Sequence, residues 1–229
     1  MVAAILGSGI AVIDGTIVNV ALPAIQADLG GGLQGQQWIS NAYLLTLGSL
    51  ILIGGSLGDI YGRRRVFAIG VGAFGVFSVA CAAAPTEETL IAARALQGVA
   101  GALLTPSSLA IIAAAFPARE RGAAIGSWTA WGGIALIVGP LVGGLIVDQT
   151  SWRWIFAINV PLVLVTLALV RAAVPDALPI PRRVDVLGAL LCALGLAGIV
   201  FGLIEQPRFG WGSPAILVSL VVGAAALAS

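Results

Sequence analysis

The sequence predicts an all-α fold, a polytopic bundle of membrane-spanning helices. Three observations carry this prediction. First, 59% of the 229 residues are hydrophobic and only 9% are charged, whereas a soluble domain carries about 25% charged residues. Lipid is therefore the main solvent. Second, eight apolar runs are close to the ~20 residues that a helix needs to cross the hydrocarbon. They are 3–24, 37–58, 66–84, 89–112, 122–147, 154–172, 186–204 and 214–229. Third, the breaks between them are short and either polar or rich in Gly and Pro, so neighbouring helices are antiparallel and no soluble domain is left over. In lipid a chain must satisfy its own backbone hydrogen bonds, which helices do within themselves.

Span 1 reads as a retained span and not a signal peptide, because it has no basic n-region and no cleavage site. Asp14 lies near its middle. An ionisable group at that depth costs at least ~2.5 kcal/mol unless it meets a cavity or a partner. Two readings stay open: a carboxyl that bonds a neighbouring helix for structure, or a proton or cation site. Thr16 and Asn19 share another face, and Pro23 is expected to end or bend the helix.

Residues 54–65, GGSLGDIYGRRR, join spans 2 and 3. Gly62 permits a tight turn. Arg63, Arg64 and Arg65 hold the loop on the cytoplasmic side, but topology alone needs neither Asp59 nor the close-packing Gly55 and Gly58. Asp59 is expected to pair with an Arg elsewhere as a gate latch.

Span 4 carries Arg94, which keeps its charge and must be paired or wet. Gln97 lies one turn on, and Gly98, Gly101 and Ala102 allow close helix approach. Inverted three-span repeats would bring spans 1 and 4 together around a central cavity. An Asp14–Arg94 coupling, direct or through water, is one expectation; Glu87 or Glu88 as the partner of Arg94 is the other. In span 5, Trp128 and Trp131 share a helix face, either packed or lining a cavity for a flat aromatic or cationic ligand. Gly139, Pro140, Gly143 and Gly144 make a flat, breakable segment: a hinge, a sliding face or a static contact.

Orientation follows from arginine, since all eleven basic residues are Arg. Loops after spans 2, 4 and 6 hold Arg63, Arg64, Arg65, Arg119, Arg121, Arg182 and Arg183, and Arg171 ends span 6; the opposite loops hold only Arg153 and Arg208. The positive-inside rule places the N-terminus in the cytoplasm. Acidic Asp28, Glu87, Glu88, Asp148 and Glu205 fall in or beside the outer loops, and Trp38, Trp152, Trp154 and Trp211 read as an interfacial belt there. Cys81 and Cys192 lie in apolar runs and read as small buried hydrophobes. The arginine bias with the Ala and Gly load suggests a bacterial source, hence the cytoplasmic (inner) membrane.

The sequence offers no P-loop for ATP, no nucleophile elbow, no metal-ligand cluster and no histidine. No cofactor and no enzymatic activity are expected, and the sparse, scattered basic residues speak against nucleic acid. Any transport must run on an ion, proton or substrate gradient.

These motifs together resemble the major facilitator superfamily, in its fourteen-span drug:proton antiporter branch (EmrB/QacA type). GSLGDIYGRRR is similar to the family's loop motif through Gly55, Leu57, Asp59, Gly62, Arg63 and Arg64. RALQGVAGA is similar to its span 4 motif through Arg94, Gln97, Gly98 and Gly101. VGPLVGG is similar to the antiporter motif through Gly139, Pro140, Gly143 and Gly144, with Ala135 where a first Gly is usual. IDGTIVNVALP, SWRWIFAINVP and RFGWG resemble segments of the fourteen-span branch.

The resemblance implies a six-span N-terminal half over 1–172, a cytoplasmic linker at 173–185, two extra spans over 186–229, and a C-terminal half absent from this sequence. It implies alternating access driven by protons, with amphipathic or cationic small molecules as cargo. Asp14 and Arg94 then couple protons to conformation; Gly55, Asp59, Gly62, Arg63 and Arg64 form the inner gate. Gly139, Pro140, Gly143 and Gly144 form the antiport hinge, and Thr16, Asn19, Gln97, Trp128 and Trp131 line the cavity. The rivals are a dedicated exporter of one endogenous metabolite or antibiotic, and a non-transporting receptor or scaffold on the same fold.

Overall fold

The computed structural model describes residues 1–174 and 185–228. The expected basic loop at Arg182 and Arg183, and most of the 173–185 linker, lie outside them. Within the described residues the elements are all helices: α1 (Val2–Leu29), α2 (Gly32–Tyr61), α3 (Arg63–Ala82), α4 (Glu87–Ala115), α5 (Ala118–Gln149), α6 (Trp154–Ala157), α7 (Asn159–Ala173), α8 (Val186–Phe209) and α9 (Pro214–Ala228). α6 and α7 follow one another closely and together make one 20-residue span. Among the described residues seven spans are therefore long and apolar enough to cross a membrane. The 15 described residues of α9 rise about 22 Å, short of the ~30 Å hydrocarbon.

The helices outrun the apolar windows, because hydrophobicity marks the hydrocarbon and not the end of the backbone ladder. α1 continues through Pro23 to Leu29. Pro23 removes one N–H without ending the helix, a defect that membrane helices tolerate. What ends α1 is the run Gly30, Gly31 and Gly32, with φ of +86°, +86° and +61°. Only glycine adopts three such residues in succession at little cost. Gly62, with φ +93°, makes the one-residue turn from α2 into α3. α4 opens on a capping box between Thr86 and Thr89.

Charges expected in outer loops are built into the helix ends. The Glu87 carboxylate lies against Gly31 and Gly35 at the start of α2, where unpaired N–H groups and the helix dipole favour an anion. Asp28 accepts from Arg153 Nη1 at 2.6 Å and from Trp152 Nε1 at 3.0 Å, while Arg153 Nη2 donates to the Ala84 carbonyl at 3.3 Å. This knot joins the ends of α1 and α3 to the turn before α6. Trp152 is thus a buried core residue and not a belt residue; Trp154 and Trp211 are exposed, as a belt requires.

Lipid gives packed helices no hydrophobic advantage over separated ones, so close backbone approach must hold the bundle. Glycine supplies it. On the α2–α4 seam Gly54 faces the Ala102 carbonyl and Gly98 faces the Tyr43 carbonyl. On the α1–α5 seam Gly139 faces Thr16 and Gly143 faces Ile17. α1 also touches α2, α4, α6 and α7 and so runs through the middle of the bundle. It joins two apolar clusters, one containing Ile10, Ala11, Phe67 and Phe74, the other Ile17, Val18, Ile25 and Phe156. Asp14 sits on α1 between them.

α8 and α9 pack as a hairpin, and α8 leans on α2. There Glu205, 8% exposed, accepts from Trp38 Nε1 at 2.9 Å, and its Oε2 has no hydrogen-bond partner. The sequence placed Glu205 at the outer loop and Trp38 in the belt; the structure instead pairs them between two helices.

Candidate functional site, a buried ion pair midway through the bundle

Asp14 and Arg94 are 0% and 1% exposed. Arg94 Nη1 donates to Asp14 Oδ2, so the direct form of the coupling is the one observed. Isolated, either charge would cost several kcal/mol at this depth. The surroundings offset that cost group by group. Arg94 Nη1 also donates to Gln97 Oε1 at 2.6 Å, and Arg94 Nε to the Ile39 carbonyl at 3.4 Å. Its guanidinium lies 4.2 Å from the centre of the Tyr43 ring, a cation–π contact in a desolvated place. Tyr43 is held by its own hydroxyl, which donates to the Ala11 carbonyl at 2.9 Å.

The carboxylate is satisfied by amides. Asp14 Oδ1 accepts from Gln97 Nε2 at 2.9 Å and from Asn159 Nδ2 at 2.7 Å. Both amides also donate to Ser78 Oγ, at 2.8 and 3.2 Å. The Cys81 thiol donates to Gln97 Oε1 at 3.6 Å. α4 and α7 therefore meet the carboxylate of α1 directly, and α2 and α3 join the same network through Tyr43, Ser78 and Cys81. Sequence reasoning named Asp14, Arg94 and Gln97. It passed over Ser78, Tyr43 and Asn159, although an amide inside the apolar run around IFAINVP was a usable signal for Asn159. Glu87 and Glu88 do not reach Arg94.

The other candidate residues fall in three places. On the α1–α5 seam, a Cβ at Gly139 would collide with Thr16 Oγ1, and Gly143 is covered by Ile17, while Gly144 keeps ordinary contact with Val20. α5 passes through Pro140 as one helix. At the α2–α3 turn Asp59 accepts from Arg63 at 3.0 Å, within its own loop. Arg63 Nη1 also reaches the Ala110 carbonyl on α4 at 3.2 Å, and Arg64 Nη2 the Arg171 carbonyl on α7 at 3.2 Å. Asp59 thus reaches α4 through Arg63. A cleft of about 680 Å³ opens here, lined by Gly55, Asp59, Arg63, Ser107 and Trp128 among others.

The expected cavity set does not converge on one surface. Trp128 donates Nε1 to Ser8 Oγ at 2.7 Å and lines that cleft. Trp131, 52% exposed, lines a separate apolar groove with Ile10 and Leu162. Asn19 is exposed and accepts from Ser40 Oγ at 3.3 Å. Thr16 lies on the α5 seam, and Gln97 is fully enclosed by the ion pair.

The Major Facilitator Superfamily profile matches residues 4–229. The chain is 41% identical over 229 residues to the "Probable actinorhodin transporter" of Streptomyces coelicolor, covering 97% of this chain and 39% of that protein. It is 43% identical over 219 residues to the "Puromycin resistance protein pur8" of Streptomyces alboniger, covering 93% and 42%. It is 40% identical over 222 residues to the "Multidrug resistance protein Stp" of Mycobacterium tuberculosis, covering 96% and 41%. The chain thus spans about two fifths of the length of these relatives. Among solved structures it is similar in fold to the peptide transporter POT, with TM-score 0.71, 18% identity and coverage of 96% and 48%. It is also similar to the proton:xylose symporter XylE, with TM-score 0.63, 17% identity and coverage of 99% and 51%. Helices of spanning length, glycine seams and the profile match over nearly the whole chain give one conclusion: this is a membrane protein belonging to the Major Facilitator Superfamily.

Proposed function

We propose that this chain is the N-terminal part of a proton-coupled exporter of amphipathic or cationic small molecules, working by alternating access in the bacterial cytoplasmic membrane. Residues 1–172 form its first six-span half and 186–229 two additional spans of the fourteen-span type, joined through a cytoplasmic linker at 173–185. The N-terminus is cytoplasmic. The observation that carries the reading is the enclosed Asp14–Arg94 pair. It joins α1 to α4, the first helices of the two three-span groups, and a proton on Asp14 removes the charge that holds Arg94. Arg94 then keeps Gln97 Oε1 on its own helix and the Tyr43 ring on α2. α1 is released from α4 and can shift against α5 along the flat face made by Gly139 and Gly143. The Asp59–Arg63 loop, tied to α4, and Arg64, tied to α7, carry the change to the gate. No cofactor takes part.

The relatives named for resistance and export support the efflux direction. The names "Probable actinorhodin transporter" and "Tetracenomycin C resistance and export protein" favour a second reading within the same class, a dedicated exporter of one antibiotic.

The test uses the complete transporter reconstituted in vesicles with an imposed proton gradient and a cationic dye such as ethidium. Asp14→Asn is expected to reduce dye-driven proton movement to the level of protein-free vesicles, and Asp14→Glu to retain part of it. Proton movement unchanged in a well-folded Asp14→Asn protein sinks the assignment. Wild-type transport of one antibiotic but of no dye selects the dedicated exporter.

A further inference from the structure

Every side chain that touches the Asp14 carboxylate is a donor: Arg94 Nη1, Gln97 Nε2 and Asn159 Nδ2. That set suits an ionised carboxylate. It is wrong for a protonated one, whose O–H then needs an acceptor in a site with no room for bulk water. Ionisable groups facing Asp14 are Arg94 from α4, Tyr43 from α2 and Cys81 from α3. The hydroxyl of Tyr43 is committed to Ala11 and the thiol of Cys81 to Gln97. α5 carries Arg119, Glu120, Arg121 and Asp148 only near its ends, α7 carries Arg171 in its last turn, and α6 has none.

Of the three side chains that touch the carboxylate, only the two amides can change from donor to acceptor by rotating in place, since a guanidinium has no acceptor. Gln97 is barred from doing so. Its Oε1 accepts Arg94 Nη1 at 2.6 Å, and rotation would set Nε2 against that cation. Asn159 is not barred. Its Oδ1 is buried and has no hydrogen-bond partner, so rotation gives up no acceptor bond. An orphaned buried amide oxygen is unfavourable and calls for an explanation.

We infer that Asn159 is a positioning residue that serves both protonation states of Asp14. With Asp14 ionised, Nδ2 donates to it. With Asp14 protonated, the amide turns over, Oδ1 accepts the carboxyl O–H, and Ser78 Oγ can turn its own hydrogen toward the same oxygen. The unpaired Oδ1 is the acceptor held ready for the protonated state. This inference rests on Asp14 being the proton site.

The test compares Asn159→Leu and Asn159→Asp in the complete transporter, reading the pH midpoint of dye-linked proton exchange. If Asn159 were only a donor to the carboxylate, removing it in either variant would favour protonation, and both midpoints would move to higher pH. If Asn159 also supplies the acceptor, Asn159→Leu takes one bond from each form: the donor from the ionised carboxylate, which keeps Arg94 and Gln97, and the acceptor from the protonated one. The two losses oppose each other, so its midpoint stays within about half a unit of wild type, whereas loss of a donor alone is worth about one unit or more. Asn159→Asp, which retains acceptor oxygens but has no donor amide, moves to higher pH. A Leu midpoint at or near that of wild type beside an Asp midpoint at higher pH supports the proposal; a Leu midpoint raised as far as that of Asp, or an Asp midpoint that does not rise, overturns it. Asn159→Ser, a small side chain that can both donate and accept, controls for folding and is expected to stay within about half a unit of wild type. If wild type and Asp14→Asn share one pH profile, the proton-site reading has failed, independently of Asn159.

Discussion

Arg94→Leu is expected to destabilise the protein by about 3–5 kcal/mol, the usual result of removing one partner from a buried ion pair. Asp14 would stay enclosed, with amide donors on Oδ1 and nothing on Oδ2. Gln97 Oε1 would lose its 2.6 Å donor, and the Tyr43 ring would lose the cation 4.2 Å from its centre. The measurement is the thermal unfolding midpoint in detergent of wild type, Arg94→Leu, Asp14→Leu and the double variant. Because an apolar replacement of a whole buried pair is often neutral or better, the double variant is expected to recover most of the loss and so to show strong coupling in the cycle. Transport is expected to be lost in all three variants. Recovered stability without recovered transport separates a functional pair from a structural one. Additive single effects would mean that the two residues do not form the pair described.

The legibility of this site in the sequence follows the price of burial. Asp14 and Arg94 stood out because a charge in hydrocarbon demands an explanation, and repeat symmetry suggested that they meet. Ser78 and Tyr43 could not be singled out, since a hydroxyl in a span is common and can bond its own backbone, as Ser49 and Thr166 do here. Asp59 was legible as more than a topological mark, but its described ion-pair partner is its neighbour Arg63. Sequence spacing cannot separate an i,i+4 pair from a contact across the bundle. Such a partly exposed pair is worth at most about 1 kcal/mol, and it is the Arg63 bond to the Ala110 carbonyl that ties the turn to α4. Helix ends were misplaced wherever the ladder left the hydrocarbon, as from Pro23 to Leu29. Glu205 looked like a loop acid because its partner, Trp38, is 167 residues away. The seven long spans among the described residues were readable because the length of an unbroken apolar run sets each of them.

Gly98→Ala carries the second large effect, from one methyl group. Gly98 lies on the α2–α4 seam, where an added Cβ would collide with the Tyr43 carbonyl oxygen and with Thr46 Oγ1. Thr46 can change rotamer, but it would then surrender its 2.7 Å bond to the Ala95 carbonyl. The Tyr43 carbonyl belongs to a helix and can yield only if α2 moves as a body. Overpacking of this kind costs about 1–3 kcal/mol, and a backbone obstacle places this site at the upper end. The displaced α2 also carries the Tyr43 ring and the Ile39 carbonyl, which both contact Arg94. Loss of packing therefore reaches the ion pair without touching either charge. Gly48→Ala, on the exposed face of α2, is the control: a Cβ there meets nothing within 4 Å. It is expected to be neutral or to stabilise by up to ~1 kcal/mol through helix propensity. Unfolding midpoints of the two variants against wild type decide the matter. Equal midpoints would refute the close α2–α4 contact, whereas a fall confined to Gly98→Ala would show that close backbone approach on this seam holds the two helices together.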